Sequence, residues 1–148
     1  MATITPIISG LTAANYTFSA VSGNINVTAN GITITATGPS KTYGTALSAG
    51  TSATNFTVTG TLASGETITS VTLTPNAAGL SSTTAAGTSY VVTPSAATGA
   101  GGFLASNYNI TYTAFNGTVS QKALTITANN TTKPYGTTQS TPVSGSTA

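Results

Sequence analysis

The chain contains no histidine, cysteine, aspartate, arginine or tryptophan, and Glu66 is its only carboxylate side chain. Lys41, Lys122 and Lys133 are its only cationic side chains. General acid–base catalysis needs a positioned titratable pair, and nucleophilic catalysis needs a Ser, Thr or Cys beside a base. One Glu and three Lys in 148 residues supply almost nothing for either, so no enzyme is expected. Metal and cofactor sites fail on the same ground. Zinc takes Cys, His or carboxylate ligands, and calcium takes several oxygens, carboxylates foremost. Nucleic acid is not an expected partner, because neutralising phosphates takes clustered Lys or Arg and the net charge is only +2.

Other absences bound the class further. Without cysteine there is no disulfide framework, so composition does not fix the redox compartment. No apolar run approaches the ~20 residues of a membrane-spanning helix. The opening Met1-Ala2-Thr3 is not followed by the basic and apolar segments of a signal peptide. Membrane insertion is therefore not expected, and a secretion signal, if the parent protein has one, is expected elsewhere.

What remains is Thr, Ser, Ala, Gly and Asn in excess, with charged residues at 3% against a typical ~25% for soluble domains. Disordered chains are poor in aromatic and β-branched residues, whereas this chain has six Tyr and four Phe among many Ile, Val and Thr. Thr favours strands while presenting a hydroxyl. Hydroxyls and amides thus replace charges as the solubilising surface, which suits an extracellular, cell-surface protein.

The organisation is a repeat. At an offset of 92 residues, without a gap, Asn15-Tyr16 meets Asn107-Tyr108, Asn24 meets Asn116, and Val27 meets Val119. At the same offset Thr33-Ile34-Thr35-Ala36 meets Thr125-Ile126-Thr127-Ala128, Lys41 meets Lys133, and Tyr43-Gly44-Thr45 meets Tyr135-Gly136-Thr137. The expected division is one complete unit over residues 31–122. Residues 1–30 then read as the end of a preceding unit and 123–148 as the start of a following one.

Period-two alternation predicts strands at 32–36, 55–59, 69–74, 89–93 (stopped by Pro94) and 107–113. Asn116-Gly117 is a hairpin signal, leading into a strand at 118–120. Further strands are expected at 16–20, 25–28 and 124–128, and at most one turn of helix near 77–82. The class is all-β and mainly antiparallel, a tandem of small domains with little or no helix. Only Gln121-Lys122-Ala123 separates successive units, too short and too poor in Gly for a flexible linker, so a semi-rigid rod is expected.

Ile32-Thr33-Ile34-Thr35-Ala36, Lys41-Thr42-Tyr43-Gly44-Thr45, Phe56-Thr57-Val58-Thr59-Gly60 and Ser70-Val71-Thr72-Leu73 together resemble the MBG domain of the YGX type. So do Ser106-Asn107-Tyr108-Asn109-Ile110-Thr111-Tyr112 and Asn116-Gly117-Thr118-Val119. The resemblance implies a β-grasp-like domain occurring in tandem in large bacterial surface proteins, adhesins among them. Alternation alone leaves strand order, and so a grasp-like or sandwich-like form, open.

The motif residues then read as structural. Tyr43-Gly44 and Tyr135-Gly136 are each expected to be a core Tyr followed by a Gly at positive φ in a tight turn. Asn107-Tyr108 would open a strand, and Asn116-Gly117 would turn the chain. Lys41 reads as a solvated lysine and Glu66 as a turn residue, since a crosslink between them needs a buried carboxyl beside the amine. Seven Asn-X-Ser/Thr sequons follow from the composition and fall partly within predicted strands. The function expected is a non-catalytic stalk or spacer repeat whose partners are adjacent repeats. A self-assembling filament joined to identical chains by strand addition is one alternative, and a carbohydrate- or mucin-binding module is another.

Overall fold

The computed structural model describes residues 2–130 and 132–138. Its elements, in chain order, are β1 (Ala2–Ile4), β2 (Gly23–Ile25), β3 (Asn30–Ala36), β4 (Gly50–Ser52), β5 (Phe56–Gly60) and β6 (Thr67–Pro75). They continue with a single helical turn α1 (Ala77–Leu80), then β7 (Ser89–Ala100), β8 (Tyr108–Thr113) and β9 (Phe115–Thr118). The chain is all-β and mainly antiparallel.

Two sheets make the domain. One has the order β5-β3-β8 and the other β4-β6-β7-β9. In the first, β3 pairs antiparallel with β5 and parallel with β8, from Asn30↔Tyr108 to Thr35↔Thr113. The alternation of β3 lays Ile32, Ile34 and Ala36 on one face, and all three are buried. Ile34 and Ala36 meet Val71 and Leu73 of β6 and Tyr90, Val92 and Ala97 of β7, with Val119 closing the cluster. Each Ile, Val or Leu side chain among them contributes about 1.5–3 kcal/mol when fully buried. Of the two forms left open by the sequence, the sandwich-like one describes these facing sheets.

Three expectations are corrected. Pro94 does not stop β7, which runs on to Ala100. The last pair of β7 with β9 is Val92↔Phe115, so Pro94 lies past the end of that ladder, where a missing N–H leaves no bond unmade. Asn116-Gly117 is not a hairpin turn but lies inside β9, Gly117 facing Tyr90 across the ladder. The chain changes sheets at Ala114 instead of turning back. A Cβ on Gly117 would sit 2.4 Å from Tyr90 Cζ, so the glycine is required by the buried ring and not by a turn.

The third correction concerns the flanking segments. Residues 16–20 and 124–128 form no strand, and in place of the strand expected at 25–28 stands β2, which shares only Ile25 with it and, among the described residues, pairs with β1 alone. Leu124 and Ile126 are exposed, whereas their counterparts one repeat earlier, Ile32 and Ile34, are buried. Val27 and Val119 stand in the same contrast. Identical patterning thus yields a strand only where a partner strand and a facing sheet are present. The remainder of the expected following unit, at 131 and 139–148, lies outside the described residues.

Candidate functional site

The charged side chains within the two sheets' domain, Glu66 and Lys41, lie at two different poles. β3 carries the incoming chain away from the first pole, and Val119-Ser120 carries it out at the second. At the outgoing pole the Lys41–Thr45 loop closes on itself. The amide of Thr45 donates to the carbonyl of Thr42 (3.1 Å), and so does its hydroxyl (2.6 Å). Gly44 sits at φ +86°, a conformation that costs a side-chain-bearing residue about 1–2 kcal/mol.

Lys41 is the unexpected member. It is not solvated: only 1% of its surface is exposed. Its Nζ donates to the carbonyl of Thr45 and, at 2.6 Å, to that of Ser81. Among the described residues the ammonium therefore meets backbone dipoles and no carboxylate, and it ties the loop to the segment after α1. The loop also holds the departing chain. The Tyr43 amide donates to Ser120 O and the Ser120 amide to Lys41 O, both at 2.9 Å, making a parallel bridge Thr42↔Ser120.

Tyr43 itself is not a core residue. Its side chain is 46% exposed and, with Ala85, Ala86, Gln121 and Lys122, lines a shallow hollow. The core tyrosine is Tyr90, 1% exposed, whose hydroxyl donates to Pro39 O at 2.9 Å. Its ring packs edge-on against Phe115, with centroids 6.1 Å apart. Burial pushes its ionisation above the ordinary tyrosine value.

The second copy of the motif builds the same loop. Lys133 Nζ donates to Thr137 O at 2.6 Å, the Thr137 hydroxyl donates to Pro134 O at 2.9 Å, and Gly136 sits at φ +83°. Lys133 and Tyr135 are exposed there. Loop geometry is therefore local to Lys-X-Tyr-Gly-Thr, while burial of the lysine comes from the rest of the unit.

Asn107 and Tyr108 belong to the incoming pole. Asn107 ends a short 3₁₀ turn and Tyr108 opens β8. The Tyr108 ring stacks on Phe103 at 5.4 Å. Its hydroxyl donates to the Glu66 carboxylate and accepts from the Ala63 amide at 2.9 Å. The bond to Glu66 raises the ionisation of Tyr108. Asn30, where the link arrives, donates through its side chain to Thr61 O at 2.7 Å. Asn30, Thr61, Ala63, Glu66, Asn107 and Tyr108 line a cavity of about 570 Å³ that also takes in Val27, Thr28 and Ala29. Glu66 and Lys41, the two groups weighed as crosslink partners, thus sit at opposite poles. Sequence reasoning missed the burial of Lys41 and the place of Tyr90; the Lys-to-Thr spacing repeated at Lys133 signals the loop bond and not the burial.

A sequence model of the MBG domain (YGX type) matches residues 32–120, more than half of the chain. The chain belongs to that family. Its Tyr-Gly motif is the Tyr43-Gly44 loop just described, and MBG domains are found in bacterial surface proteins. Neither the curated proteins nor the solved structures yield a match to this chain. Among the described residues of this MBG domain no helix is long and apolar enough to cross a membrane.

Proposed function

We propose that this MBG domain is a non-catalytic spacer: a stalk repeat that holds another part of a bacterial surface protein away from the cell. The observation that carries this reading is the placement of the two links. The chain arrives at the Glu66–Tyr108 pole, traverses the sandwich, and departs at the Lys41–Tyr43 pole. Copies joined in this way extend end to end and do not fold back side by side. The chemistry of the surface supports the same role. A rod with 3% charged residues is little affected by ionic strength, and of its three lysines Lys41 is buried. Its partners on this reading are the adjacent repeats, and its place is outside the cell.

Electron microscopy of the purified chain tests the proposal. Isolated, elongated particles are the expected result. Regular fibres would favour a self-assembling filament instead. Catalytic turnover abolished by Glu66→Gln would overturn the non-catalytic reading, and saturable binding of a glycan abolished by Tyr43→Ala would replace the spacer with a carbohydrate-binding module.

A further inference from the structure

We infer that consecutive repeats are in direct contact, the Tyr43–Lys122 face of one repeat seated on the Glu66–Tyr108 face of the next. The inference rests on the tandem spacer reading and gives it an interface. Its first support is the length of the link. Ser120 is the last residue fixed by the outgoing pole, through its two backbone bonds to Lys41 and Tyr43. Asn30 is the first residue fixed at the incoming pole, as the start of β3 and partner of Tyr108. At the repeat offset of 92, Asn30 corresponds to Lys122. Only Gln121 therefore lies between the residue one repeat holds and the residue the next repeat holds. Two steps of extended chain span about 7 Å. Poles whose anchor points are that close abut.

The second support is that both hollows are lined by the same piece of chain. Gln121 and Lys122 line the hollow beside Tyr43, and their counterparts Ala29 and Asn30 line the cavity beside Glu66. At a junction the two hollows face each other across this shared segment. The third support is complementarity. The outgoing face offers a half-exposed aromatic ring, two alanines and the Lys122 ammonium, whose stem crosses Gly44 within 4.0 Å of where a Cβ would lie. The incoming face offers Leu62, Ala63 and the chain's single carboxylate. Lys122 stands in the next repeat where Asn30 stands in this one, on the wall of the cavity that holds Glu66. The occupant of each face is thus the opposite pole of a second copy, and the exposure of Tyr43 follows from its position at the joint.

The test compares the full chain with a lengthened chain carrying a second, in-frame copy of residues 31–122 after Lys122. Thermal denaturation of the lengthened chain should give one transition, at a midpoint about 4 °C or more above that of the full chain. Tyr43→Ala in the first copy, at the new joint, should remove the increment, and Tyr43→Phe should retain it. Tyr43→Ala in the second copy should leave it intact. Equal midpoints for the two chains, or equal losses from Tyr43→Ala in either copy, overturn the interface. Small-angle X-ray scattering separates this from failure of the spacer reading. A maximum dimension that grows by one repeat while the midpoint stays fixed refutes the contact and leaves the spacer standing. A dimension that does not grow refutes both.

Discussion

Replacing Lys41 by alanine should be among the most damaging single changes available in the domain. The native side chain buries a four-carbon stem and satisfies two carbonyls, Thr45 O and Ser81 O. Ser81 O keeps a second donor, the Thr84 hydroxyl at 3.2 Å, but Thr45 O is left bare. Losing a hydrogen bond to a charged group costs about 1.5–3 kcal/mol, and truncating a buried stem to alanine adds roughly 2 kcal/mol or more for the cavity. Relief from burying an ammonium offsets part of this. The net loss should be about 3 kcal/mol for Lys41→Ala and about 2 kcal/mol for Lys41→Met, which keeps the stem. At a urea slope of about 1 kcal/mol/M, the unfolding midpoint of Lys41→Ala falls by about 3 M. The chain carries its own control, because Lys133 makes the equivalent bond to Thr137 O but is exposed. Lys133→Ala should move the midpoint by less than about 0.5 M, as surface changes do. Equal midpoints for the two variants would refute the argument that the buried ammonium is what fastens the loop to the domain.

Three further outcomes follow from the same geometry. Tyr43→Ala should cost less than about 1 kcal/mol in the single-repeat chain, while Gly44→Ala costs about 1–2 kcal/mol because of its positive φ; urea titration of both checks this. Gly117→Ala should lose about 1–3 kcal/mol by overpacking the Tyr90 ring, measured as a lowered melting temperature. Stability should hold up to about pH 10, the ordinary tyrosine value, and fall above it. The Tyr90 ionisation is raised in the folded state, so the unfolded chain loses its proton first and is favoured as the pH climbs through the folded value. Tyr90→Phe should flatten that decline in urea midpoints measured from pH 8 to 11.

Much of the sheet framework was legible because period-two alternation and burial coincide. β3, β5, β6 and β8 all fall where Ile, Val, Phe and Tyr alternate with Thr and Asn. The misreadings share a cause: local signals whose meaning depends on a distant residue. Asn116-Gly117 carries the chemistry of a turn, yet Tyr90, far away in sequence, is what demands the glycine. Pro94 reads as a terminator unless the length of β9 is known. Lys41 has no alternation to betray its burial, and its two acceptors come from a nearby turn and from a segment 40 residues on. Tyr43 looked like core because it recurs, but recurrence marks whatever each repeat needs, and Tyr43 is half-exposed. Leu124–Ala128 has the pattern of a strand without the partners of one.

The parallel pairing of β3 with β8 has a mechanical consequence. In the proposed tandem array, a pull acts at Asn30 in one direction and at Ser120 in the other. β3 then slides along β8 and β5, and β9 along β7, so each ladder is loaded lengthwise. The evenly spaced bonds of the parallel pair, from Asn30↔Tyr108 to Thr35↔Thr113, share the strain and must yield together, where a peeled hairpin would surrender them one by one. The Thr42↔Ser120 bridge adds one more parallel contact at the point where the load leaves. In the spacer proposed above, a lengthwise pull would thereby be resisted by the ladders of both sheets at once.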